Sequence, residues 1–374
     1  MPFPQVFFKG EIKESSSVDF RTWNRRKNNW LREQRGKCLA PLLGKASCTQ
    51  AYDPSLVRKV LVLRNDNRLG DAVVGSSLLR GLRQLFPQAT LDVVACKGTA
   101  CIFRANPFVN RVWCSTEGLV SLATCGLKLR QEQYDLYIDV DEKPMLSSLV
   151  FLKCVAPKWA VGLNREKFPL YNLTVSLNPD IIHITKRYEE LLRRVGFTGP
   201  FDTSYCIQLP AHVLQEAKKW VDQKFQGDDF WVFNPQGSTW KKSFTPDQIL
   251  PLCKHFSHKN IVLVGAEKKL KEWLGKNALP ANVCIYSQDV MHAVAMATYA
   301  KLLFTPDTFW VHAACALHIP TVSVYNFASP AGGAYMRSTS MSWSPLEKEV
   351  KMFVYPAQQK EIPVERLIQV IEAY

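Results

Sequence analysis

Two stretches of this chain put carboxylates, hydroxyls and a histidine where a strand gives way to a helix. In the first, Val60-Leu-Val-Leu-Arg-Asn-Asp-Asn-Arg-Leu-Gly-Asp71 passes from an apolar strand through a turn that Gly70 permits, and Asp71 then opens a helix. A carboxylate there is a helix cap worth about 0.5–2 kcal/mol, or, facing a substrate, a base that takes a proton from a hydroxyl. In the second, a strand over 301–305 ends at Pro306, and Asp307-Thr-Phe-Trp-Val-His312 opens a helix that continues through Leu317. Asp307, Thr308 and the first-turn amides suit a pyrophosphate or sugar hydroxyls, because helix N-termini offer unpaired N–H donors and favour anions. His312 lies further into that helix, where a packed histidine and a binding histidine are both open readings.

Other residues of binding type lie between and before these stretches. Ser238 and Thr239 stand in a Gly-Ser-Thr loop whose hydroxyls suit phosphate and whose composition equally suits a plain turn. Lys242 is either a cation for phosphate or a surface lysine beside Lys241. Glu267, in Gly-Ala-Glu after a strand over 261–264, accepts two hydrogen bonds from a diol or caps a helix. His183, Arg187 and Tyr188 share one face of a helix over 183–195, where Arg187 is a phosphate contact or a solvated side chain. Asp139, Asp141 and Glu142 cluster at a strand end and, with Lys143-Pro144 following, line a cleft or cap a helix rather than bind metal.

Such residues need a scaffold that ends its strands at one edge. From about residue 57, short apolar runs alternate with helical periodicity, which predicts an α/β fold with parallel sheets. In such sheets ligands bind beyond the carboxyl ends of the strands. Strands are expected over 60–64, 90–96, 111–114 and 134–140, then over 230–234, 260–264, 283–286, 301–305 and 321–325. One helix is expected over 71–86 and a last one near 363–373. The stretch 177–210 ends in Gly196, Gly199, Pro200 and Pro210 and reads as a hinge. A chain of 374 residues exceeds one ordinary core. The expected organisation is a basic aromatic extension over 1–57, domains over 58–200 and 201–350, and a tail over 351–374.

Bulk properties narrow the function classes. Hydrophobic residues make up 47% without a run long enough to span a bilayer, so a soluble or peripheral protein is expected. The first ten residues lack the continuous apolar core of a secretory signal. Eleven cysteines without a repeated CxxC spacing read as reduced and cytosolic. The net charge of +14 calls for acidic partners, and no nucleic-acid module accompanies it. Much of the charge lies in 20–37, where Arg21, Arg25, Arg26, Lys27, Arg32, Arg35 and Lys37 are interleaved with Trp23, Trp30 and Leu31. That pattern fits an amphipathic helix on an anionic membrane surface or one that packs its tryptophans on the protein.

The order of "RLGD", "NPQGSTWKKSFTPDQ", "LVGAEKKLKE" and "FTPDTFWVHAACALHIPTVSVYN" resembles the heptosyltransferases, glycosyltransferase family nine, over about residues 58 to 330. The resemblance implies a GT-B fold, two Rossmann-like domains with parallel sheets facing a central cleft, the tail helix crossing back to the first domain. It implies an inverting glycosyltransferase that moves heptose from ADP-heptose to the phosphorylated lipopolysaccharide inner core, lipid-linked at the inner leaflet, with no cofactor or catalytic metal. Asp71 then matches the catalytic base, Lys242 the cation at the donor phosphate, Glu267 the acid at the ribose hydroxyls, and Asp307, Thr308 and His312 the donor signature. Ser238 and Thr239 add phosphate contacts, and Arg68, His183 and Arg187 face the acceptor. The basic helix would hold the enzyme at the cytoplasmic side of the membrane. Two departures stand out: Phe309 replaces the usual glycine after Asp-Thr, and Asn65, Asp66, Asn67 and Arg68 replace small hydroxyl residues. A nucleotide-sugar epimerase and a catalytically inert glycan-binding or membrane-binding protein of the same fold remain alternatives.

Overall fold

A computed structural model describes residues 6–7, 43–46, 48–142, 145–177, 183–239, 242–326, 342–355 and 359–374. The chain forms two compact units, an N-terminal lobe over residues 17–206 and a C-terminal lobe over 207–374 that also takes in 1–16. The first strand, β1 (Val6–Phe7), therefore belongs to the C-terminal sheet.

The N-terminal lobe runs β2 (Lys59–Arg64), α1 (Leu69–Val74), α2 (Ser76–Leu85), β3 (Thr90–Ala95), α3 (Ala100–Arg104), β4 (Arg111–Cys114), α4 (Leu119–Leu129), β5 (Leu136–Asp139), α5 (Leu146–Val155), β6 (Trp159–Leu163), β7 (Leu173–Val175) and α6 (Ile184–Arg194). Its strands pair in parallel in the order β4-β3-β2-β5-β6-β7. Val60, Leu61, Val62 and Leu63 are all buried, as expected of a parallel strand covered on both faces. The chain steps outward from β2 to β4, then returns to the other side of β2 with β5. The gap between β2 and β5 is thus a topological switch point, the place in such sheets where ligands bind.

The C-terminal lobe repeats the scheme with α7 (Ala211–Phe225), β8 (Phe230–Phe233), α8 (Pro246–His255), β9 (Asn260–Val264), α9 (Glu267–Leu274), β10 (Val283–Tyr286), α10 (Val290–Ala297), β11 (Leu302–Pro306), α11 (Phe309–Leu317), β12 (Thr321–Asn326), β13 (Val350–Tyr355) and α12 (Val364–Glu372). The order is β1-β13-β12-β11-β8-β9-β10, again parallel, with its switch point between β8 and β11. Two Rossmann-like lobes in one chain are the architecture of the GT-B class.

Several expectations need correction. The helix over 71–86 is two helices that part at Gly75, where the Ser76 and Ser77 hydroxyls take up the carbonyls of Val73 and Val74 at 2.6 and 2.9 Å. Gly70 lies inside α1 rather than in a turn. The strands β6, β7 and β13 were not expected. In β6, Gly162 allows a close approach, since a Cβ there would stand 2.8 Å from Arg165 and 2.9 Å from Tyr171. The described part of the tail belongs to the C-terminal lobe. Leu367, Val370 and Ile371 of α12 pack into the C-terminal core with Ile249 and Leu252 of α8, and Gln248 donates to the carbonyls of Gln359 and Ile362 at 2.9 and 2.8 Å. Residues 48–57, expected to belong to an extension, join the N-terminal lobe, where Tyr52 donates to the Val195 carbonyl at 2.9 Å and Trp159 to that of Gln50 at 3.0 Å. The lobes divide after Cys206 rather than residue 200. The basic segment 20–37 lies outside the described residues.

Candidate active site

At the N-terminal switch point the reactive side chains come from three connections. Arg64 ends β2, and its side chain is only 7% exposed. Its Nη2 pairs closely with Oδ2 of Asp71, its Nε lies 3.2 Å from Asp66 Oδ2, and its Nη1 lies 3.8 Å from Asp141 Oδ1. Asp71 stands in the first turn of α1, whose N-cap is Arg68, and its carboxylate meets basic side chains instead of capping the helix amides. The capping reading of Asp71 therefore fails. Burial raises the Asp71 pKa, and the positive charges of Arg64 and Arg68 oppose that rise.

The loop that carries Asp66 and Arg68 is tied down on both sides. The Arg68 amide donates to Asp66 Oδ1 at 3.0 Å, Thr99 donates to the Asp66 carbonyl at 3.1 Å, and Asn65 donates to that of Thr116 at 2.8 Å. Arg68 itself is mostly exposed, with Nη1 3.7 Å from Asp71 Oδ2.

Beyond β5, the acidic cluster divides its duties. Asp139 is fully buried and accepts from Tyr171 at 2.5 Å and from Arg165 at 3.0 and 3.3 Å. Arg165, itself buried, also donates to the carbonyls of Asp141 and Glu142. Asp139 thus shapes the loop and does not line a cleft. Asp141, half exposed, is pushed up to about 6 by desolvation and the Asp139 carboxylate.

Two expected acceptor residues are engaged elsewhere. His183 is the N-cap of α6, its Nδ1 accepting from the Thr185 amide at 3.3 Å and lying 2.8 Å from the Thr185 hydroxyl. Arg187 pairs with Glu142, and burial lowers its pKa.

At the C-terminal switch point, Asn234 follows β8 and is buried. Its Nδ2 donates to Thr305 and Thr308 hydroxyls at 3.0 and 3.3 Å and to the Gln236 carbonyl at 3.1 Å. This side chain stitches the β8 loop to the β11 turn. The same loop brings Lys242 Nζ to 2.5 Å from Asp307 Oδ2, with both side chains partly exposed. Lys242 donates its amide to the Thr239 carbonyl, and Ser243 bridges Thr239 and Gly237, so Ser238 and Thr239 stand in the loop that presents the lysine. Gly237 makes that fold possible: a Cβ there would meet the Lys242 carbonyl oxygen at 2.3 Å.

Thr308 caps α11, accepting from the Trp310 amide at 3.3 Å, and Asp307 stands one residue before it. His312 is buried within α11, its ring 6.1 Å from that of Trp343. Phe309 begins α11 with its ring 5.8 Å from Trp310. Glu267 opens α9, but its exposed carboxylate pairs with Lys271 at 2.6 Å and not with the Lys242–Asp307 pair. Hydrogen bonding to Lys271 lowers its pKa.

The structure therefore brings together Asp71 with Arg68, and Lys242 with Asp307, Thr308 and the 238–239 loop. It leaves Glu267, His183 and Arg187 with other partners. Arg64 and Asn234 were missed, although each immediately follows or ends an apolar strand, a position where a polar residue is conspicuous.

The model of the family described as glycosyltransferase family 9 (heptosyltransferase) matches residues 123–362, more than half of the chain. The chain belongs to that family. As a member it is a glycosyltransferase. It is 25% identical over 359 residues to an Escherichia coli (strain K12) protein provisionally named lipopolysaccharide heptosyltransferase 4, a match covering 92% of this chain and 95% of that one. Among solved structures, a family 9 glycosyl transferase from Veillonella parvula DSM 2008 shares the fold at a TM-score of 0.71 and 14% identity, covering 84% of this chain and 96% of that one. The E. coli ADP-heptose heptosyltransferase II shares it at 0.66 and 20%, covering 84% and 98%. E. coli heptosyltransferase WaaC, solved with ADP, shares it at 0.64 and 18%, covering 84% and 99%.

Among the described residues no helix is long and apolar enough to cross a membrane. His318, Glu347 and Glu349 bring potential ligand atoms within 4.8 Å of one another, at the opposite end of α11 from Thr308.

Proposed function

We propose that this glycosyltransferase moves a heptose from ADP-heptose, with inversion at the anomeric carbon, onto a hydroxyl of the phosphorylated inner core of lipopolysaccharide. The observation that carries the reading is the commitment of Asp71 to a buried cation rather than to helix amides. A carboxylate paired with a guanidinium beside a strand end, its pKa raised by burial, is suited to take the acceptor's proton as the anomeric carbon gains oxocarbenium character and its bond to ADP breaks. Lys242 would then offset the charge on departing ADP, exchanging Asp307 for a phosphate oxygen. Asp307 and Thr308 would hold the sugar, with Ser238, Thr239 and His312 around the donor and Glu267 turning from Lys271 to the ribose. Arg68 and Arg187 supply positive charge for acceptor phosphates, and no metal enters the scheme. The names of the relatives, which print ADP-heptose and lipopolysaccharide, support this donor and acceptor.

The lipid-linked acceptor places the enzyme at the cytoplasmic face of the inner membrane, held by the basic segment 20–37. Asp71→Asn should abolish transfer while ADP binding, measured by calorimetry, persists. Wild-type turnover in that variant would remove Asp71 from the reaction. ADP release that needs no acceptor would favour an epimerase-like enzyme instead.

A further inference from the structure

We propose that Arg64 is the positioning residue for proton transfer, its buried guanidinium fixing one oxygen of Asp71 so that the other is presented to the acceptor hydroxyl. The inference rests on the reading of Asp71 as the base.

Three observations carry it. First, Arg64 ends β2, one of the two central strands of its lobe, with a side chain 7% exposed. Taking a guanidinium out of water there is costly, and an apolar residue like Val60 to Leu63 would fill the position without that cost. The residue at 64 is therefore not explained by packing. Second, three carboxylates converge on this one cation from three elements: Asp66 from the loop, Asp71 from α1 and Asp141 from the β5 loop. Asp71 receives Nη2 and Asp66 lies 3.2 Å from Nε, and the planar guanidinium, unlike a lysine ammonium, holds its two edges toward different carboxylates in fixed directions. Third, the contacts on Asp71 are one-sided. Among the described residues, Arg64 and Arg68 both meet Oδ2, which leaves Oδ1 as the oxygen on which a proton is taken up.

The charged and titratable groups facing Asp71 are thus Arg64 from β2, Asp66 and Arg68 from the loop and Tyr188 from α6, with Asp141 from the β5 loop on the far side of Arg64. The Tyr188 hydroxyl is buried and has no hydrogen-bond partner among the described residues. Burial pushes it up to about 12, so it adds no charge at neutral pH. The balance at Asp71 is then set by burial, which favours the neutral acid, against Arg64, which favours the carboxylate. Removing Arg64 removes the larger opposing charge, and a base that must be ionised then fails at a higher pH.

The test uses full-length Arg64→Gln and Arg64→Lys enzymes, with ADP release from ADP-heptose followed across pH on heptose-deficient core lipopolysaccharide. The Gln variant should lose about 100-fold in kcat, and its acid limb should move up by roughly one to three pH units. ADP affinity, a property of the other lobe, should stay at the wild-type value. The Lys variant should keep the limb near its wild-type position yet lose at least about ten-fold in kcat, because a flexible ammonium does not hold the direction of the contact on Oδ2. An unmoved acid limb in the Gln variant would reduce Arg64 to packing and overturn the proposal. Should circular dichroism show the Gln variant unfolded, wild-type kcat in the Lys variant overturns it equally. Asp71→Asn, run alongside, separates the two ideas: wild-type turnover there discards the base itself, whereas a dead Asp71→Asn with an unmoved limb in Arg64→Gln discards only the role of Arg64.

Discussion

Asp71 and Asp139 each lie at or beyond the carboxyl end of a neighbouring central strand, and each meets an arginine, but burial sorts them into different work. Asp139 is enclosed completely and shares Arg165 with two loop carbonyls. Replacing one partner leaves the other charge buried alone, so Arg165→Met should cost about 3–5 kcal/mol of stability in denaturant unfolding. Asp71 keeps some access, with its side chain 14% exposed. Its folded pKa is raised, and the proposed base is active when deprotonated, so turnover should fall as pH drops through a value above the ordinary carboxylate range. A pH profile of kcat with its acid limb at or below that range would contradict the assignment. Sequence alone placed Asp71 and Asp307 because glycine, proline and apolar strands bracket them. It misplaced Asp139, since a strand-end carboxylate looks the same whether its arginine lies in solvent or 26 residues away in the chain.

The elements that hold these residues depend on a few close approaches. The helix pair α4 and α5 meets at Gly126, where a Cβ would stand 2.8 Å from the Cys154 Cβ and 3.0 Å from the Phe151 carbonyl oxygen. Backbone cannot yield there as a flexible side chain would. Gly126→Ala should therefore destabilise the N-terminal lobe by about 1–3 kcal/mol, seen as a lowered Tm, with ADP affinity kept. Gly237→Ala should act in the opposite way, displacing the Lys242 loop and weakening ADP binding in calorimetry more than it lowers Tm. The central strands were legible because unbroken Val, Ile and Leu runs leave little other choice. The strands at β6 and β7 were not, because Gly162 and the buried Arg165 between them break the apolar pattern that marks a covered strand. The destination of the tail was hidden for another reason: Gln248 decides it through two carbonyls over a hundred residues away.

At the scale of the molecule, the charge excess of +14 and the thiols are the features a whole-chain measurement reads. If the segment 20–37 meets an anionic bilayer, replacing Arg25, Arg26 and Lys27 by glutamine should cut co-sedimentation with phosphatidylglycerol vesicles. Turnover of a soluble core oligosaccharide should be unchanged. Among the described residues no cysteine is paired with another in a disulfide. Burial pushes the Cys253 thiol up to about 12 and that of Cys315 to about 11, so iodoacetamide at neutral pH should mark the exposed Cys114 well before either, as read by peptide mass spectrometry.

The pairing of Val6–Phe7 with β13 has a practical outcome for anyone shortening this protein. Trimming the leader to remove its arginines would also strip the outermost rung from the C-terminal sheet. The bared amides and carbonyls of 353–354 would then be open to a rung from another molecule, so a shortened enzyme is expected to self-associate more than the intact chain in sedimentation velocity.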